Sequence, residues 1–484
     1  MHRARYAPVS LMTNMLSKSN MKILNIITVG LVAVLMSSCG LYKKYERPEV
    51  TVNTSAVMRD AEQYANTTDS LGFGDVAWRE VFTDPQLQEL IEEGLENNLN
   101  VYKAVASVKQ MEEALKCARL AFLPSLALAP NGTFSKVLTG DYKSDWNKSY
   151  ALPISASWTL DIFGNILAQK RNAEATLAMT KDYEQAARSG VICGVANSYY
   201  TLLMLDRQLE ILDEMEKLSK ETWEMMKLQK DLGGARETSV VSAQAAFLKV
   251  QAQAVDMRRQ VREVENALSL MIGREAQTIS RGKLADQSLP TEFSTGYPLR
   301  ILSIRPDVHA KEMDLAACFY DVQKARSSMY PSITISANGS YTNSLGSMIA
   351  NPGQLIASFV GSLTQPLFAN GRLTAQLRIA KIDYDVAEKE WINSILNAGA
   401  EISNCLIVYH SANDKGVLDR QQVEVLKKSV DYTRDLFKMG SSTYLEVLTA
   451  QSSLLNAEIA QVTDDFNKMQ AVVNLYSALG GGRY

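Results

Sequence analysis

Tyr150-Ala151-Leu152-Pro153-Ile154-Ser155-Ala156-Ser157-Trp158-Thr159-Leu160 is followed, after Asp161-Ile162-Phe163-Gly164, by 68 residues without proline, Asn165 to Leu232. In the first run the even positions are apolar or aromatic, and the odd ones are Ala, Pro, Ser and Thr. A period of two belongs to a strand whose faces meet different surroundings. The second run predicts one helix, ~100 Å long at 1.5 Å per residue, which is more than a globular core needs. A short two-faced strand feeding a very long helix is the pattern on which the fold turns.

Working outward, the pattern occurs twice. Leu126, Leu128, Pro130, Gly132 and Phe134 alternate with Ala127, Ala129, Asn131 and Thr133. Ile333, Ile335, Ala337, Gly339 and Tyr341 alternate with Thr334, Ser336, Asn338, Ser340 and Thr342, and a less regular strand spans Leu355 to Leu363. Landmarks recur at an offset of 207 residues: Pro124-Ser125 as Pro331-Ser332, Gly233 as Gly440, Ala243-Gln244 as Ala450-Gln451, and Gly273 as Gly480. A second proline-free stretch, Gly371 to Met439, has 69 residues. The helices expected to return from the two long ones, Thr238 to Ile272 and Thr443 to Leu479, have 35 and 37. Two further helices, Asp84 to Leu120 and Leu299 to Met329, have the missing length, so two short helices end to end would match one long one. The chain is one unit duplicated, which overrides the roughly three domains that length alone suggests.

Ten-residue segments with one apolar and one small polar face have the pattern of membrane-barrel strands; a soluble sandwich would need more of them. Four strands cannot close a barrel, and an open edge in lipid leaves backbone groups unsatisfied, so several chains must pool their strands. Leu445, Leu448, Ser452, Leu455, Ile459, Val462, Phe466, Met469, Val473 and Tyr476 follow a 3,4 heptad alternation. Val240, Ala243, Phe247, Val250, Ala254, Met257, Val261, Val264, Leu268 and Met271 do the same, predicting antiparallel coiled-coil contact.

Composition narrows the function. Fifty basic residues against 53 acidic ones, with a net charge of -3, offer no surface for nucleic acid. There are only three histidines, and no P-loop, G-x-S-x-G or H-E-x-x-H, so an enzyme is not expected. The 19 methionines form no ladder, and no metal site is expected. Residues Ile23 to Met36 form an apolar run of signal-peptide length before Ser37-Ser38-Cys39-Gly40, an imperfect lipobox with Met36 where Leu is usual. Cys39 is the expected lipidation site, carrying a diacylglycerol and an N-acyl chain and no other cofactor. Met21 is the expected start, which would make residues 1–20 an upstream extension. Removing 1–38 takes away Arg3, Arg5, Lys18 and Lys22, leaving 46 basic residues against 53 acidic, or -7. Cys117, Cys193, Cys318 and Cys405 are expected as small buried helix residues.

Together with these features, several short motifs resemble those of the TolC-like outer membrane factors, in the lipoprotein branch serving resistance-nodulation-division pumps. They are Tyr45-Glu46-Arg47-Pro48, Trp78 with Phe82 and Asp84-Pro85-Gln86-Leu87, Leu160-Asp161-Ile162-Phe163-Gly164, Arg305-Pro306-Asp307, Glu446-Val447-Leu448 and Ala478-Leu479-Gly480-Gly481-Gly482. The resemblance implies an α+β membrane protein with internal duplication. Long antiparallel coiled-coil helices would form a periplasmic α-barrel, and four β-strands per chain would contribute to a trimeric twelve-stranded β-barrel. It implies a homotrimer in outer membrane lipid that conducts passively and has a periplasmic membrane-fusion adaptor and an inner membrane pump as partners. The organisation expected is a signal peptide at 1–38, a lipidated linker at 39–83, a first repeat at 84–273, an equatorial linker at 274–298 and a second repeat at 299–484. The tips that would dock the adaptor are Gly233, Gly234, Arg236 and Glu237, and Gly440 and Ser441. Glu446 stands at an acidic gate position, a ring of three carboxylates in a trimer. Ser239 and Ser442 replace an Asp and an Arg that can lock the closed tip, so a gate held by helix packing is expected. A duct for type I secretion and a lipid-anchored scaffold without a pore are the alternatives. The cargo is not legible.

Overall fold

The computed structural model describes residues 43–49, 73–136, 146–290, 305–342 and 354–483. Cys39, the leader, and residues 291–304, which include part of the expected linker, lie outside them. In chain order the elements are α1 Trp78–Val81, α2 Pro85–Asn97, α3 Leu99–Leu120, β1 Ser125–Leu128, β2 Asn131–Ser135, β3 Asn147–Leu160, α4 Asn165–Asp231 and α5 Glu237–Ile272. There follow α6 Pro306–Ser327, β4 Ser332–Thr342, β5 Gln354–Thr364, α7 Arg372–Lys438 and α8 Tyr444–Ala478.

The duplication holds to the residue. Shifting α3 by 207 gives both ends of α6, and shifting α4 gives both ends of α7. Gly164, Gly233 and Gly273 have φ of 72°, 79° and 79°; their counterparts Gly371, Gly440 and Gly480 have 76°, 76° and 78°. Side chains have diverged more than the frame. Arg258 pairs with Asp213 at 2.9 Å, whereas at the matching positions Arg420 pairs with Asp465 at 3.7 Å, with the charges exchanged between the helices.

Two expected elements are divided. The helix from Asp84 to Leu120 breaks at Asn98, whose backbone is extended (φ -67°, ψ 125°). Its Oδ1 accepts from the Asn100 amide at 2.8 Å and so caps α3, an Asn property that the continuous apolar spacing conceals. The strand from 126 to 134 is interrupted at Ala129-Pro130, leaving β1 and β2. Proline has no N–H for a ladder, and its counterpart Ala337 leaves β4 continuous.

The chain forms two compact units. The first, built from Glu113–Thr176, Leu315–Ala387 and the residues up to Pro48, contains the sheet. Its order is β1-β3-β4-β5 with β2 also on β3, all antiparallel. This is a four-strand-wide sheet, one edge being β1 and β2 in succession and the other β5. The Tyr45 ring meets Phe319 edge-on at 5.9 Å, and its amide donates to the Tyr320 hydroxyl at 3.2 Å. The second unit comprises Glu49–Glu112, Leu177–Asp314 and Glu388–Tyr484. Its main apolar cluster gathers Trp78, Phe82, Leu87, Tyr199, Leu202, Leu268, Ile402, Leu475 and Tyr476 from six helices. Of the free cysteines only Cys193 is fully buried; Cys117 is exposed and the other two are intermediate, so the expectation of burial fails for Cys117.

Candidate functional site

The sequence points to the helix-to-helix turns. Both long helices end in a Schellman motif. Gly233 N–H donates to Lys230 O (2.9 Å) and Gly234 N–H to Gln229 O (2.8 Å); Gly440 N–H donates to Phe437 O (3.0 Å) and Ser441 N–H to Leu436 O (2.9 Å). The left-handed φ at Gly233 and Gly440 suits glycine. The structure brings the two turns together: Met226, Val240, Ala243, Phe437 and Val447 form one buried cluster, with Trp223 and Tyr444 against it. Trp223 stacks on Phe247 at 5.7 Å.

The turns differ in chemistry. At the second, Thr443 is the N-cap of α8 and forms a capping box with Glu446. The Glu446 carboxylate accepts from the Thr443 amide at 3.0 Å and from Ser442 Oγ. Those hydrogen bonds, that of Ser442 first, hold its pKa below the ordinary 4.5. Thr443-x-x-Glu446 carries this signal in the sequence, where it went unread. At the first turn Arg236 is the N-cap without a side-chain bond, Ser239 donates its amide to Arg236 O at 3.0 Å, and Glu237 pairs with Lys230. Glu237 is thus engaged within its own hairpin. The cross-hairpin ion pair is Arg434 with Glu221 at 2.9 Å, joining α7 to α4. Partners so far apart in the chain leave no spacing signal.

At the opposite ends of the returning helices the quoted motifs find their physical basis. Asn98 Nδ2 donates to Met271 O at 2.8 Å, and its counterpart Arg305 donates through Nη1 to Ala478 O at 2.8 Å. The end of each returning helix therefore meets the start of α3 or α6; for the first this is the break at Asn98 and not Asp84, where the expected helix begins. Arg305 also holds Asp307 and Glu401, each at 2.7 Å. Burial opposes ionisation of Asp307, but the bond and charge from Arg305 outweigh it and keep its pKa low. Asp84 caps α2 and accepts from the Tyr199 hydroxyl (2.6 Å) and Gln287 (2.8 Å). Arg281 binds Asp206 (2.5 Å) and the buried Glu265 (2.7 Å), pinning the linker to α4 and α5. The glycine run closes the same region. A Cβ on Gly481 would fall 2.5 Å from the Tyr476 ring, and Gln185 and Ser189 donate to Gly482 O (2.6 Å) and Gly481 O (2.7 Å).

Cross-strand register sorts the sheet side chains by face. One face carries Leu126, Leu128, Phe134, Tyr150, Leu152, Ile154, Trp158, Leu160, Ile333, Ile335, Tyr341, Phe359 and Leu363, with Lys148 opposite Phe134 near the start of β3. The other carries Ser, Thr, Asn, Ala, Pro and Val among the residues whose side chains are described, and no ionisable group. Val360 on that face accounts for the weaker alternation of β5. Tyr150 and Trp158 are eight residues apart, ~26 Å along the strand at 3.3 Å per residue, and bracket an apolar band of membrane scale. No helix among the described residues is long and apolar enough to cross a membrane, and no cluster there of three or more His, Cys, Asp or Glu could hold a metal.

A duplicated frame, a two-faced open sheet and paired long helices define a class of membrane duct. The family model for outer membrane efflux proteins matches residues 90–274 and 298–481. The chain belongs to that family, and its place is the outer membrane. It is similar to the cation efflux system protein CusC of Escherichia coli O6:H1, 26% identical over 462 residues, covering 93% of this chain and 97% of that one. It is similar also to the probable outer membrane lipoprotein SilC of Salmonella typhimurium, 24% identical, covering 95% and 99%. Crystal structures of CusC match with a TM-score of 0.79 at 24% identity over 91% of this chain and 99% of that one, a likeness of fold.

Proposed function

We propose that the chain is the exit duct of a tripartite efflux system, in which three copies pool twelve strands into one outer membrane barrel. The observation that carries this reading is the sheet: one face apolar except for Lys148 near the start of β3, the other without an ionisable group among the described side chains, and both edges open. In lipid such edges require partners, and joining copies edge to edge supplies them while enclosing the polar face around water. Conduction through such a duct is passive. A periplasmic adaptor and an inner membrane pump of the resistance-nodulation-division type are the partners that the family reading supplies, with the adaptor meeting the Gly233–Glu237 and Gly440–Ser441 turns. Cys39 carries the lipid anchor; the lipoprotein named among the relatives supports this. The apolar cluster joining the two turns supports a gate held chiefly by packing, with Arg434–Glu221 as its ion pair.

The test is electrophysiological. Purified acylated protein should migrate as a heat-modifiable trimer in detergent and give discrete conductance steps in planar bilayers. A monomer without conductance would favour the lipid-anchored scaffold. Glu446→Gln should lower cation selectivity if three Glu446 carboxylates ring the mouth; unchanged conductance and selectivity would leave Glu446 only its capping role.

A further inference from the structure

The second unit holds a recess of about 580 Å³, within the size range of small-molecule sites. Its floor is one face of α8, where Glu458, Val462, Asp465, Met469 and Val472 recur at alternating steps of four and three residues. Ile211 of α4, Lys427 of α7, and Leu284 and Leu289 of the linker contribute to its walls.

The duplication supplies a comparison for that floor. Shifted by 207, it becomes Gln251, Val255, Arg258, Arg262 and Glu265 on α5. Three of the polar groups there have close partners: Gln251 donates to Glu216 at 2.8 Å, Arg258 pairs with Asp213 at 2.9 Å, and Glu265 binds Arg281 at 2.7 Å. On α8 the two carboxylates are held more loosely. Glu458, its side chain 11% exposed, has the exposed Lys427 at 3.0 Å, and Asp465 has Arg420 only at 3.7 Å, beyond hydrogen-bond range. Burial pushes the Asp465 pKa up, and Arg420 and Lys468 offset this only in part. A carboxylate partly withdrawn from water and short of donors favours an added cation.

Two further changes between the repeats complete the chemistry. Lys468 also lines the recess and stands where the first repeat has Val261. Its ammonium donates to Asn413 at 2.9 Å, lies 5.4 Å from the Tyr409 ring centre and has no carboxylate partner among the described residues. It is three residues beyond Asp465, ~4.5 Å along α8 at 1.5 Å per residue. Met469 replaces Arg262, which leaves the floor apolar beside these two charges. An ammonium and a carboxylate at the ends of two residues, at most ~7 Å apart, are spaced to reach both. A single amino acid would leave most of the volume empty.

We propose that this recess binds a dipeptide with free termini and apolar side chains. Its ammonium lies on Asp465, its carboxylate on Lys468, and its side chains on Val462, Met469 and Leu284. Such binding involves neither the sheet nor the helix-to-helix turns, and it is a function apart from conduction.

Calorimetric titration of the purified full chain in detergent tests this, with leucyl-leucine as the probe. The free dipeptide should bind, and its N-acetyl and C-amide derivatives should each bind at least tenfold more weakly, since each loses one charged contact. In Asp465→Asn the free dipeptide should fall to the affinity of the N-acetyl derivative, and in Lys468→Met to that of the C-amide. Arg258→Gln, at the place in the first repeat that matches Asp465, should leave the affinity unchanged. No binding of the free dipeptide at millimolar concentration, or equal binding of free and blocked forms, overturns the assignment. Both results are read on the unsubstituted chain, so a variant that fails to fold leaves the test in place.

Discussion

Arg305→Met should destabilise the fold by an amount that can be worked from its contacts. The Arg305 side chain is 8% exposed, whereas those of Asp307 and Glu401 are 53% and 49% exposed. Met keeps much of the stem volume, so the loss is mainly polar. The Ala478 carbonyl loses its 2.8 Å donor, and an orphaned buried acceptor costs ~1 to 3 kcal/mol. The two half-exposed carboxylates regain water, so together their ion pairs add only ~1 kcal/mol. The expected total is about 2 to 4 kcal/mol, read as a lowered denaturant midpoint by far-ultraviolet circular dichroism in detergent. Arg305→Lys keeps the charge without the planar fork and should fall between Met and the unsubstituted protein. The Asp307 pKa is depressed, so its contribution is full above the ordinary value of 3.8 and lost as pH falls below it. The Met variant should show less of that acid-dependent loss. A Met variant within ~0.5 kcal/mol of the parent would refute the assignment of Arg305 as the bond that joins α8 to α6.

Other expectations concern the turns and the sheet. Gly233→Ala and Gly440→Ala should each cost ~1 kcal/mol from left-handed backbone alone, because an added Cβ meets nothing within 4 Å; a melting experiment showing a much larger loss would mean that the turns are packed against something else. Gly481→Ala should be worse than either, since the new methyl falls on the Tyr476 ring, and limited proteolysis should then release the C terminus. Ala337→Pro removes a ladder donor from a strand paired on both sides and should abolish heat-modifiable migration, whereas Pro130→Ala should be tolerated. Ser442 is the first cause of the lowered Glu446 pKa, so Ser442→Ala should raise the pH at which cation selectivity is lost in bilayers; an unchanged titration would separate Glu446 from the conducting path.

Most of the frame is legible because its signals are periodic. The two-residue alternation, the proline-free runs and the 207-residue offset each gave element positions to within a few residues. The breaks at Asn98 and Pro130 were missed because apolar spacing runs straight through both, and the interruption depends on a cap and a missing donor that periodicity does not register. The capping role of Glu446 is legible in Thr443-x-x-Glu446, a spacing that sets the carboxylate back onto the Thr443 amide. Arg434–Glu221 and the Arg281 bridge between Asp206 and Glu265 could not be read, since only the folded chain brings those charges together. Arg305-Pro306-Asp307 and the closing glycines, which carry the family resemblance, hold the junctions where helix ends meet.

The polar face of the sheet has a consequence for what the duct can refuse. Hydroxyls and amides reorient toward either sign of charge, and a wall made of them presents no fixed field of its own. An anion, a cation and a neutral solute crossing the membrane along that face would meet nearly the same surroundings. On the proposed reading, discrimination among cargoes is finished before they reach the described strands, whose polar face carries no ionisable group to choose between them.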